Sequence, residues 1–129
     1  MRVLLIDDHA LFRIGLQELL ARRGIEVVAA EGDCELGIHL AGEENPDVIL
    51  LDLQLPGIHG LDVLKNVIAR EMPSPVIVIT DDGSVDVAVE AMRAGAFDFV
   101  TKPFGASRLR VTVSNAIRQE ELADLVDSY

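Results

Sequence analysis

Two aspartates, Asp7 and Asp8, stand side by side after the aliphatic run MRVLLI and before HALFRIGLQELL. Adjacent carboxylates repel, and burying either without a partner is costly, so a pair in this place calls for a cation. A third carboxylate, Asp52, lies in a second aliphatic run, VILLDL; Thr80 closes a third, VIVIT; and Lys102 follows the run AFDFV. If these runs are strands of one parallel sheet, the residues at their ends gather along one edge. Carboxylates brought that close would hold a hard dication, Mg2+ or Mn2+, through oxygen. A carboxylate beside such a cation can attack a phosphoryl donor, and phosphoryl transfer asks mostly for positioning and for neutralisation of the phosphoryl oxygens. On this reading Asp52 is the nucleophile, Lys102 a second positive charge and Thr80 a hydroxyl donor.

The elements that would position these groups follow from periodicity. Residues 1–6, 25–30, 48–53, 75–80 and 96–100 read as strands, three of them almost purely aliphatic, as strands buried on both faces are. Between them lie helical patterns. In the first, Leu11, Ile14, Leu16, Leu19 and Leu20 are expected to form the apolar stripe, with Gly24 as terminator. The others cover 33–44, capped by Asp33, then 61–71, then 84–95, closed by Gly95, and a last helix from about 105 to the mid 120s that contains β-branched Val111, Thr112 and Val113. Alternating strands and helices predict an α/β fold, a five-stranded parallel sheet of order 2-1-3-4-5 with helices on both faces. Its ligand site lies beyond the carboxyl ends of strands one and three.

A chain of 129 residues suits one domain, expected at 1–125 with 126–129 beginning a linker or tail. Twenty-two acidic residues against 11 basic ones give a net charge of -11, which repels nucleic-acid backbones and welcomes a divalent cation. The single cysteine, Cys34, excludes an internal disulfide and reads as a tolerated thiol. No leader segment is visible and no apolar run approaches the ~20 residues that cross a bilayer, so a cytoplasmic protein with no membrane partner is expected. His9 and His39 have no His or Cys partner at ligand spacing and are given no metal role. Gly57 and Gly60 shape a turn, because neither nucleotide-binding glycine motif is present.

The segments LLIDDHALFRIGLQELL, VILLDLQLPGIHGLDVL, VIVIT and AMRAGAFDFVTKPF together resemble the receiver domain of two-component response regulators, over essentially the whole chain. The resemblance implies that Asp52 accepts phosphate from a histidine kinase or phosphotransfer protein. It implies that Asp8 binds Mg2+ directly, Asp7 beside it through water, and the Gln54 carbonyl as a further ligand. Lys102 contacts the phosphoryl group, the Lys102–Pro103 bond is cis, and Thr80 moves toward the phosphoryl oxygen with Phe99 coupled to it. Three residues depart from the usual pattern: Asp81 after the threonine, His59 in the loop after Asp52, and Phe99 where a tyrosine is more frequent.

The implied activity is a phosphorylation switch with Mg-dependent self-phosphorylation and autodephosphorylation, and no metabolic activity. Its opening helix resembles receivers attached to helix-turn-helix regulators, so transcription would be controlled through an output domain after Tyr129, the only route to DNA. The alternatives are a phosphorylation-independent or stand-alone receiver that docks onto another protein, and a small magnesium-dependent phosphatase. The latter is disfavoured by Gln54, which stands where a second acid is needed. A homodimer formed on phosphorylation is expected to use residues 84–117, with Arg93, Arg108, Arg110 and nearby Arg118 facing Glu90, Asp98, Glu120 and Glu121.

Overall fold

Alternation along each strand divides its side chains between two cores. The computed structural model describes residues 1–53, 60–81, 83–102 and 104–127, with backbone alone at 34, 60, 106 and 119–127. Its strands are β1 (Arg2–Ile6), β2 (Glu26–Glu31), β3 (Val48–Asp52), β4 (Val76–Thr80) and β5 (Asp98–Thr101). Its helices are α1 (Ala10–Arg22), α2 (Cys34–Glu44), α3 (Gly60–Ala69), α4 (Val85–Arg93) and α5 (Ala106–Asp127). The sheet is parallel with the order β2-β1-β3-β4-β5, as the pattern of runs predicts. Val3, Leu5, Val48, Leu50, Ile77 and Ile79 point to one face, where residues of α1 and α5 cover them. Leu4, Ile6, Ile49, Leu51, Val76 and Val78 point to the other, under α2, α3 and α4. β3 and β4 are buried at every position, which is why their sequences carry no polar alternation.

The helix ends expected from the sequence are present. The Asp33 carboxylate accepts the Leu36 backbone N–H at 3.0 Å, and Gly24 and Gly95 take φ of 75° and 109° just past α1 and α4, a region that an L side chain rarely adopts. The β-branched run in α5 is tolerated because Thr112 and Val113 are fully buried; tertiary packing outweighs the small loss in helix propensity.

The expected stripe of α1 is corrected by the structure. Leu16 and Leu20 are buried and Leu19 and Phe12 partly so, but Leu11 is 87% and Ile14 61% exposed. At 3.6 residues per turn, positions 12, 16, 19 and 20 share an arc of about 100°, and positions 11 and 14 fall on the opposite side of the helix.

Candidate functional site

Register brings the acidic residues level. Ile6 of β1 pairs with Leu51 of β3, so the next residue of each chain segment, Asp7 and Asp52, leaves the sheet side by side. Asp52 in turn pairs with Ile79, one residue before Thr80, and Thr80 pairs with Thr101, one residue before Lys102. A backbone bond from Lys102 N–H to the Thr80 carbonyl, 2.8 Å, extends the β4–β5 ladder into the site. Asp7, Asp52 and Thr80 are wholly buried and Lys102 nearly so.

Lys102 is the hub of the pocket. Its Nζ donates to Asp7 Oδ2 at 2.7 Å and to Asp52 Oδ2 at 2.9 Å. Burial pulls the ammonium's pKa down, but the hydrogen bonds to Asp7 and Asp52 and their charges outweigh it and leave it above the ordinary lysine value. The same nitrogen lies 4.0 Å from the centroid of the Phe12 ring, which meets Phe104 edge to face at 5.8 Å. An aromatic wall on α1 and the start of the β5–α5 segment thus back the ammonium.

The neighbouring aspartates have different tasks. Asp7 is committed inside the protein: Oδ2 accepts from Lys102, Oδ1 accepts the His9 backbone N–H at 2.8 Å, and its carbonyl accepts from Arg13 Nη1 at 2.6 Å. Asp8 is partly exposed, yet its Oδ1 is buried without a hydrogen-bond partner. A buried carboxylate oxygen in that condition is costly unless a cation meets it. Three carboxylates face one ammonium, and the two negative charges left over match a dication. The donor set therefore fits Mg2+, with oxygen ligands from an acidic cluster.

The sequence reading missed three contributors. His9, given no metal role, nonetheless stands in the acidic cluster, with Nδ1 3.3 Å from Asp7 Oδ1, 3.5 Å from Asp52 Oδ2 and 3.8 Å from Asp8 Oδ1. Its adjacency to Asp8 at a strand exit was the available signal. Phe12 and Arg13 were also passed over, although they follow on the first turn of α1. Asp81 is exposed just past β4. Phe99 is half-buried, level with Val78 and packed on the core under α2, α3 and α4; Thr80, two residues beyond Val78, belongs to the same sheet face. Arg93 and Arg110 are exposed, whereas Arg108 faces Asp98 of its own chain at 3.7 Å. Gln54, His59, Gly57 and Pro103, hence the expected cis bond, lie outside the described residues, as do the side chains of Cys34, Glu120 and Glu121. No helix among the described residues is long and apolar enough to cross a membrane.

Comparison with known proteins agrees with this geometry. The model of the response regulator receiver domain matches residues 3–114. The luminescence regulatory protein LuxO of Vibrio campbellii is 57% identical over 115 residues, 89% of this chain and 25% of its own length. The regulatory protein AtoC of Escherichia coli is 36% identical over 121 residues, 94% of this chain and 26% of its own. A crystal structure of the signal receiver domain assigned to a LuxO repressor protein from Vibrio parahaemolyticus superposes with a TM-score of 0.89 at 33% identity, covering 99% of this chain and 98% of that one. The chain thus spans about a quarter of the length of these two curated relatives.

Proposed function

The chain belongs to the response regulator receiver domain family, a phosphoacceptor of two-component signalling, and from that premise we propose that Asp52 is the residue phosphorylated by a histidine kinase or phosphotransfer protein. An Asp52 carboxylate oxygen attacks phosphorus, the phosphorus–nitrogen bond of the donor's phosphohistidine breaks, and its electron pair returns to the donor imidazole. Lys102, already on Asp52 at 2.9 Å, neutralises the incoming phosphoryl oxygens without having to be recruited. Asp8 directly, Asp7 through water, and Asp52 would hold Mg2+, joined by the Gln54 carbonyl; the ion, when bound, would supply positive charge against the phosphoryl group. The reaction is self-modification and not turnover of a metabolite.

The observation that carries this reading is the buried Asp7–Lys102–Asp52 chain beside the partnerless Asp8 Oδ1. Thr80 then turns toward the phosphoryl group and Phe99 repacks on the same sheet face, altering the surface of α4, β5 and α5. Residues 1–125 act as the receiver, and 126–129 lead toward an output domain that controls transcription and makes the only DNA contact, in keeping with the chain's share of its regulatory relatives. Arg93, Arg108, Arg110 and Asp98 form a homodimer face on activation, with Arg108 leaving its own Asp98 to meet the second copy.

Incubation with Mg2+ and a small-molecule phosphoryl donor, then borohydride trapping and intact-mass and peptide mass spectrometry, tests the acceptor. One phosphoryl group on Asp52 is expected, with none on the Asp52→Asn variant. Modification at another residue would remove Asp52 from this role.

A further inference from the structure

His9 is the residue for which phosphoryl transfer has no use, yet it stands at the mouth of the acidic pocket. Backbone geometry brings it there. It caps α1 in an extended conformation, φ -78° and ψ 96°, without using its side chain as a cap. Its own N–H is tied to Asp7 Oδ1 at 2.8 Å, so the residue cannot swing away from the pair of aspartates. From this position the ring turns Nδ1 inward: 3.4 Å from Lys102 Nζ and within 3.8 Å of one oxygen of each of Asp7, Asp8 and Asp52. Half of the side chain remains in solvent.

One donor atom from each of Asp7, Asp8, His9 and Asp52 lies within 4.8 Å of all the others. Metal bonds of about 2.0–2.3 Å close such a span with small side-chain adjustments. Three of the donors are hard oxygens and the fourth is an imidazole nitrogen. Nitrogen contributes little to magnesium, which dehydrates reluctantly and favours oxygen, but it strengthens binding of first-row transition dications. The partnerless, buried Asp8 Oδ1 marks where the positive charge belongs, next to this nitrogen.

We propose that His9 Nδ1 is a ligand of the cation site, which makes the pocket a mixed nitrogen–oxygen site selective for Mn2+, Co2+ or Ni2+ over Mg2+ beyond the preference of carboxylates alone. The inference rests on the reading of Asp7, Asp8 and Asp52 as the cation pocket. It adds that the metal taken up in a cell depends on which dications are available, and that His9 sets that dependence.

Titrations of the intact chain with Mg2+ and with Co2+, by calorimetry or by NMR shifts, separate the two layers. His9→Ala and His9→Gln should leave Mg2+ affinity within about threefold and lower Co2+ affinity about tenfold or more. Pulsed electron paramagnetic resonance of the Mn2+ complex should show coupling to a directly bound nitrogen, absent in both variants. His39→Ala is the control, because His39 Nε2 lies 3.1 Å from Glu43 Oε1 on α2 and could itself attract a transition ion; it should leave the coupling intact. Normal Mg2+ binding with no nitrogen coupling, or with equal Co2+ affinity in wild type and variants, overturns the role of His9 and leaves the acidic pocket standing. Absence of Mg2+ binding in the wild type overturns the pocket itself.

Discussion

The exits of β1 and β4 are built in opposite ways. At the β1 exit, Asp7 is fully buried and fixed by Lys102, Arg13, the His9 N–H and, through its own N–H, the Glu31 carbonyl at 2.9 Å. At the β4 exit Thr80 is buried, but Asp81, Gly83, Ser84 and Val85 are all exposed, and Ala91 is the buried residue of α4. Val85, Val89 and Met92 of that helix are 76%, 41% and 46% exposed. The charge-holding edge is over-determined, while the helix that follows Thr80 is attached by few apolar contacts. A helix with little buried surface can change its packing at low free-energy cost, and a domain with this asymmetry can hold its chemistry fixed while its output face moves.

Breaking the fixed exit should have the largest effect. Lys102→Met leaves Asp7 and Asp52 buried without their cation and should cost about 3–5 kcal/mol in urea unfolding without divalent ions. Saturating Mg2+ should recover part of that loss, since it replaces the missing positive charge. An unchanged unfolding midpoint would show that the ammonium does not secure this exit. Arg13→Leu removes a charged donor from the Asp7 carbonyl and should cost about 1.5–3 kcal/mol by the same assay. A full-length loss of stability that spared the β1 exit in hydrogen exchange would separate Arg13 from Asp7.

The pH dependence should belong to the same exit. Lys102 has a folded-state pKa raised above the ordinary 10.5, so its contribution is fully present below that value and disappears as pH rises through the folded pKa. Stability measured from pH 7 upward should therefore show no decline from this group through neutrality, and a loss above pH 10.5 that Lys102→Met lacks. A decline of this origin near neutral pH would contradict the pairing.

Changes at the loose exit should be smaller and local. Ser84→Ala removes the hydroxyl that accepts the Val87 N–H at 3.3 Å and should cost about 1 kcal/mol or less, seen as faster amide exchange in α4 with little change in global unfolding. Val85→Thr, on a side chain 76% exposed, should move stability by no more than ~0.5 kcal/mol. If Ser84→Ala shifted global unfolding as much as Arg13→Leu, the contrast between the exits would be lost.

Strand order and the convergence of Asp7, Asp52, Thr80 and Lys102 were legible in the sequence, because a parallel sheet maps strand ends onto one edge whatever the side-chain details. The exposed side of α1 was misjudged at Leu11 and Ile14, where apolar character was taken for burial without setting each position on the helix. His9 was missed for a different reason. Ligand spacing searches a sequence for like partners, while His9 meets its partners through the fold, 43 residues away at Asp52. Arg13 and Phe12 were invisible for the same reason: their partners are a backbone carbonyl and a distant lysine.

The ring of Phe12, 4.0 Å from Lys102 Nζ, also gives the molecule an internal reporter. The chain has no tryptophan whose fluorescence could follow the pocket. Protons near the face of an aromatic ring are shielded by its circulating electrons, so the resonances of the lysine's terminal methylene should lie upfield of those of exposed lysines. Entry of a cation beside the ammonium shifts the position of the ammonium over the ring and so changes that shielding. The chemical shift of one side chain can then track occupancy of the acidic pocket without any added label.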